Sequence, residues 1–163
     1  MGLHVPNTTP RLTDAVTAAT SAPSSVAIDV PRERRITYAE LVQLVDDAAK
    51  RLEALGLAQA GRVALIAPNS ADTLITLLAL SGIAATVPLN PAYTRSEIRS
   101  RLQASGARVL VVPHEGRGPW DDAGIPVVRW KSSNGHPAAA AMPSRDQGCA
   151  FLFSIDDPPT QCA

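Results

Sequence analysis

An α/β domain, a β-hairpin followed by a parallel sheet, is the fold class this sequence predicts. Three short apolar runs, Arg62 to Ala67, Ala84 to Val87 and Arg108 to Val112, alternate with two helix-patterned segments. The links between them are short, and strand–helix–strand–helix–strand with short links is the pattern of a parallel sheet with right-handed crossovers. The first run is apolar almost throughout rather than alternating, as expected of a strand covered on both faces.

Taken in order, the chain opens on a polar stretch through Ser25, with a short helix expected over Leu12 to Ala19. Val26 to Val30 and Arg35 to Thr37 are β-prone and flank the polar Pro31-Arg32-Glu33-Arg34, which reads as a hairpin. Thr37-Tyr38-Ala39-Glu40 has the form of a capping box, in which hydroxyl and carboxylate each satisfy an orphan backbone donor. Leu41, Leu44, Val45, Ala48, Leu52 and Leu55 then recur at helical spacing, and Gly56 stands where a left-handed cap ends such a helix. Asp46, Lys50, Arg51 and Glu53 are expected to face solvent. Ser70 is an N-cap for a helix over Ala71 to Ser81 that is apolar nearly all round, so burial is expected, with Gly82 ending it. The next strand is expected to close at Pro88-Leu89-Asn90-Pro91. Thr94-Arg95-Ser96-Glu97 is a second capping box, followed by inward Ile98 and Leu102 and a stop at Gly106. Beyond Pro113 the breakers Pro119, Gly124 and Pro126 precede a short strand at Val127-Val128. Residues 132–148 read as a linker, and Phe151-Leu152-Phe153 as the start of another buried strand. The division expected is 1–131, an N-terminal α/β part, and 132–163, a linker and tail.

With 163 residues, 45% of them hydrophobic, the chain can bury one core. Fifteen basic and 15 acidic residues cancel, which removes the electrostatic ground for nucleic acid or anionic membrane as partner. Aromatics at 4% are too few for a base-stacking surface. Cys149 and Cys162, and the isolated His4, His114 and His136, lack metal-ligand spacing, so no metal site is expected. Reduced thiols in a cytoplasm are expected. Met1 to Pro10 does not read as a signal peptide. Thr73 to Thr94 carries no charge, but Ser81-Gly82, Thr86 and Pro88 interrupt it; a buried helix, a turn and a strand fit better than a membrane span.

Three segments in order resemble the front of the adenylate-forming superfamily of acyl-CoA synthetases and ligases. Ile36-Thr37-Tyr38-Ala39-Glu40-Leu41 resembles its first core motif. Gly61-Arg62-Val63-Ala64-Leu65-Ile66-Ala67-Pro68-Asn69-Ser70 is similar to the family's "G-D-R-V-A-I-x-x-P-N-S". Leu80-Ser81-Gly82-Ile83-Ala84-Ala85-Thr86-Val87-Pro88-Leu89-Asn90-Pro91 resembles "L-x-x-G-A-x-x-V-P-L-N-P". The resemblance covers about Val26 to Val112 and implies a partial N-terminal subdomain of that fold. It implies a parent enzyme that uses ATP and Mg²⁺ to convert a carboxylate to an acyl-adenylate, then passes the acyl group to CoA.

One departure bears on activity. In the family an apolar strand leads into a loop of the form "T-S-G-T-T-G-x-P-K-G", whose glycines bring backbone N–H groups to the ATP phosphates. Here Phe151-Leu152-Phe153-Ser154 is followed by Ile155-Asp156-Asp157-Pro158-Pro159-Thr160-Gln161-Cys162-Ala163, without glycine or lysine. The chain alone is therefore expected to hold no cofactor and to have no catalytic residue, and loss of the reading frame after Phe153 would account for the tail. An alternative is a non-catalytic binding module, or a subunit completed by a complementing ligase segment. Against the module stands the expectation that a truncated sheet exposes edges and an apolar face.

Asp46-Asp47 and Asp121-Asp122 read as solvated pairs rather than acid–base partners, and Gly116-Arg117-Gly118 as a surface turn. The candidate site is the loop Asn90-Pro91-Ala92-Tyr93, which follows the C-terminal end of a strand, where ligands of open α/β sheets bind. The resemblance implies that such a loop lies near the CoA nucleotide. The plainer reading is a Pro-fixed strand exit with Tyr93 packed on its neighbours. His114-Glu115, after the third strand, is a second, weaker candidate.

Overall fold

A computed structural model describes residues 22–31, 34–113 and 117–131. The hairpin pairs β1 (Val26–Val30) antiparallel with β2 (Arg34–Thr37), with an irregularity between Val26 and Ile28. Helix α1 (Tyr38–Ala54) starts on the expected capping box: Thr37 N–H donates to Glu40 Oε2 at 2.8 Å, and Glu40 N–H to Thr37 Oγ1 at 3.3 Å. Leu41, Val45, Ala48 and Leu52 form its buried stripe, and Gly56, at φ 78°, turns the chain where an L side chain would be strained. A 3₁₀ turn (Leu57–Ala60) leads into β3 (Arg62–Ile66). Then follow α2 (Ala71–Ile83), β4 (Ala85–Leu89), α3 (Arg95–Ser105), β5 (Val109–Pro113), a 3₁₀ turn (Pro119–Asp122) and β6 (Val127–Trp130).

β3 to β6 form one parallel sheet in the order β4-β3-β5-β6. Alternation of side chains along β3 and β5 splits the core in two. Val63, Leu65, Val109 and Val111 pack with α1 and α2 on one face, together with Ile36 of the hairpin and Val128 and Trp130 of β6. Ala64, Ile66, Leu110 and Val112 pack with Ile98 and Leu102 of α3 on the other. Both faces of β3 and β5 are thus covered by the chain itself, contrary to the exposed apolar sheet face expected of a truncated sheet. Among the described residues, β4 and β6 are the sheet edges, and Leu74 is the exposed large apolar side chain of α2.

Four local expectations need correction. α2 runs through Gly82 to Ile83, because Ile83 still packs on the core and the cap N–H of Ala84 bonds Leu80 O at 2.8 Å. Nor is α2 buried all round: Leu74 remains 40% exposed. β4 contains Pro88 and Leu89 rather than closing at them. Ala85 N–H bonds Gly61 O, and Leu89 O accepts from Ala67 N–H, so residues 85 and 89 face β3. By the period of two, Pro88 directs its missing donor away from the ladder, which an edge strand tolerates. Arg51, expected in water, is half-buried with its guanidinium 4.8 Å from the centre of the Trp130 ring. The expected helix at Leu12 to Ala19, His114-Glu115, the linker and the Phe151 strand lie outside the described residues. No helix among the described residues is long and apolar enough to cross a membrane.

Candidate functional site

At the C-terminal edge of the sheet two loops leave side by side. Ile66 pairs with Leu89, and Ala67 N–H donates to Leu89 O at 2.9 Å, so the exits of β3 and β4 are adjacent. Ala67 to Ser70 leads to α2 on one face; Asn90 to Thr94 leads to α3 on the opposite face. Neighbouring strands whose connections diverge to opposite faces leave a crevice between them, the ligand position of doubly wound sheets. Ser70 and Thr94 cap the two helices here: Ser70 Oγ accepts from Thr73 N–H at 3.1 Å, and Thr94 N–H donates to Glu97 Oε2 at 2.7 Å.

The four residues singled out from sequence form one turn. Tyr93 N–H donates to Asn90 O at 3.1 Å, and Ala92 N–H to Asn90 Oδ1 at 2.9 Å. Pro91 presets the first corner of this turn. Tyr93 is half-buried against the α3-side core, with the Arg101 guanidinium 5.6 Å from its ring centre. The plainer reading of the loop thus describes its geometry: a Pro-containing strand exit with Tyr93 packed on its neighbours.

Glu97 and Glu40 are held below the ordinary carboxylate value, first by the backbone N–H of Thr94 and Thr37 and then by the hydroxyls. These are capping interactions, not acid–base poise. Asp46 pairs with Lys50 at 2.5 Å. Asp121 and Asp122 do more than sit in water. Asp121 caps the 3₁₀ turn at Gly118 N–H and pairs with Arg129, while Asp122 takes Arg95 at 3.1 Å and Arg99 at 3.0 Å. Among the described residues no group of three or more His, Cys, Asp or Glu could hold a metal ion. No glycine-rich phosphate cradle follows β3, where the chain reads Ala67-Pro68-Asn69-Ser70.

Sequence reasoning missed the pairing of the two exits, the Tyr93–Arg101 contact and the Arg95–Arg99–Asp122 cluster. The first and third join segments more than twenty residues apart, and the second joins a loop to the far end of the helix that follows it, so no local pattern marks them.

The fold is a parallel α/β domain with helices on both faces of its sheet and the exits of β3 and β4 side by side at one edge. Residues 15–154 match the AMP-binding enzyme family, and the chain belongs to it. It is 36% identical over 118 residues to the mitochondrial medium-chain acyl-CoA ligase ACSF2 of Bos taurus, covering 71% of this chain and 19% of that protein. It is 35% identical over 137 residues to the oxalate–CoA ligase of Arabidopsis thaliana, covering 83% of this chain and 25% of that protein. ATP-bound MatB from Rhodopseudomonas palustris superposes with a TM-score of 0.64 at 25% identity, over 83% of this chain and 30% of that one. The chain thus spans 19% to 25% of the length of these curated relatives.

Proposed function

We propose that this chain is the N-terminal part of an ATP-dependent acyl-CoA synthetase and is inactive by itself. The observation that supports the ligase reading is the family match over residues 15–154 together with relatives that are CoA ligases. In such an enzyme ATP activates a carboxylate as an acyl-adenylate, and CoA then takes the acyl group. In this reading 1–131 is the truncated N-terminal α/β part of the ligase domain, and 132–163 is a linker and an aberrant tail that lacks the phosphate loop. Inactivity rests on the stretch after Phe153, which has neither the glycines nor the lysine needed to stabilise a transferring phosphate. Asn90, Pro91, Ala92 and Tyr93 are the residues this reading sets beside the CoA nucleotide, with the Asn90–Ala92 bond and Arg101 holding the turn.

Two experiments test it. The purified chain, given ATP, Mg²⁺, CoA and a panel of carboxylates, should release no pyrophosphate; release would overturn its inactivity. A chimera carrying residues 22–131 of this chain in place of the matching segment of the Arabidopsis oxalate–CoA ligase, with that enzyme's own sequence following, should form acyl-CoA, and Tyr93→Ala in it should raise KM for CoA more than KM for ATP. A folded chimera without ligation sinks the ligase reading. The interaction-module reading has one observation in its favour: both faces of β3 and β5 are already covered.

A further inference from the structure

Helix α3 carries three arginines, and they turn to two different places. Arg95 and Arg99 reach Asp122 of the 3₁₀ turn, at 3.1 Å and 3.0 Å. Arg101, further along the helix, reaches back instead: its guanidinium stands over the Tyr93 ring, 5.6 Å from the ring centre. Long helical side chains point toward the helix N-terminus, which carries Arg101 in that direction. Its charge is felt at the cap as well. Glu97, held low first by the Thr94 backbone N–H and then by the Thr94 hydroxyl, lies one turn before Arg101 and is lowered by it too. Arg101 and Tyr93 are both half-buried, so their contact is partly shielded from water.

The backbone of the Asn90–Tyr93 turn is set without Arg101. Tyr93 N–H bonds Asn90 O, Ala92 N–H bonds Asn90 Oδ1, and Thr94 N–H bonds Glu97 Oε2. None of these bonds fixes the rotation of the Tyr93 side chain. The ring packs on the α3-side core, a contact without direction. A cation is different, because the ring quadrupole attracts it over the face and not at the edge. Resting on the reading that sets this turn beside the CoA nucleotide, we propose that Arg101 is a positioning residue for CoA that acts through Tyr93, holding the ring in the orientation in which the turn meets the nucleotide. Arg101 itself touches no substrate. Its effect should therefore fall on CoA and not on ATP, and should vanish once the Tyr93 ring is gone.

The test uses the chimera of residues 22–131 with the Arabidopsis oxalate–CoA ligase. Arg101→Met keeps an unbranched stem and loses the charge. It should raise KM for CoA about two- to fivefold, the population shift that an exposed cation–π contact is worth, without raising KM for ATP. Arg101→Lys keeps a cation and should recover most of the affinity. In a Tyr93→Ala background Arg101→Met should add nothing. An equal rise in that background means that Arg101 acts by a contact of its own, and an unmoved KM for CoA beside intact Tyr93 means that it has no role; either overturns the assignment. Tyr93→Ala without effect on KM for CoA, or a folded chimera that forms no acyl-CoA, sinks the underlying reading and the CoA role with it. The full chain gives a second readout that needs no ligase. There Arg101→Met should shift the ring NMR signals of Tyr93 and leave in place those of Tyr38, the other tyrosine. Unmoved Tyr93 signals overturn the assignment whether or not the chimera folds.

Discussion

Replacing Thr76 by valine isolates one buried tie between the sheet edge and α2. Trp130 on β6 is 3% exposed and Thr76 on α2 is 2% exposed. Thr76 Oγ1 accepts from Trp130 Nε1 at 3.1 Å and donates to Asp72 O at 2.7 Å. Valine keeps the branch and volume but accepts nothing, so the indole N–H is left among apolar neighbours without water. Leaving a buried donor unpaired costs about 1–3 kcal/mol, more than the net value of the bond itself. A loss of about 2 kcal/mol, with a urea slope of about 1.5 kcal/mol/M, lowers the unfolding midpoint by about 1.3 M. Tryptophan fluorescence in a Trp120→Phe background follows Trp130 alone, and the slope should not change. The same substitution made in a Trp130→Phe background should cost far less, because no donor remains to be stranded. An unmoved midpoint, or equal losses in the two backgrounds, refutes the reasoning.

Two further outcomes are expected. Gly106→Ala should destabilise by about 1–2 kcal/mol, since Gly106 has φ +64° and an added Cβ would stand 3.0 Å from Arg62 Nη1; Gly106→Asn should cost less in the same urea titration. Glu40 and Glu97 titrate below the ordinary 4.5, so their contribution to stability is full above that value and is lost as pH falls through the lower folded one. The Glu40→Gln/Glu97→Gln double variant should therefore lose stability less steeply between about pH 5 and pH 3; an unchanged slope would show that the caps carry no linkage.

What local chemistry controls was legible in the sequence. Both capping boxes, the Ser70 cap and the left-handed stops at Gly56 and Gly106 depend on residues within a few positions of one another, and all five form as read. The uninterrupted apolar letters of β3 marked burial on both faces, because each face needs its own apolar set. The resemblance in three segments carried the family. Tertiary structure decided the rest. Pro88 joins a strand only because β4 lies at an edge, and an edge is defined by strand order, which no local window contains. Gly82 stays helical because the core reaches past it to Ile83. Arg51 leaves the water because β6, far along the chain, brings Trp130 beneath it. The exits of β3 and β4 stand side by side because the two strands, adjacent in the sheet, lead to helices on opposite faces. Sequence alone determined which segments would be helix or strand, since those choices rest on short-range hydrogen bonds and periodicity. Which segments meet was decided by the packing of two cores across one sheet, a property of the whole chain.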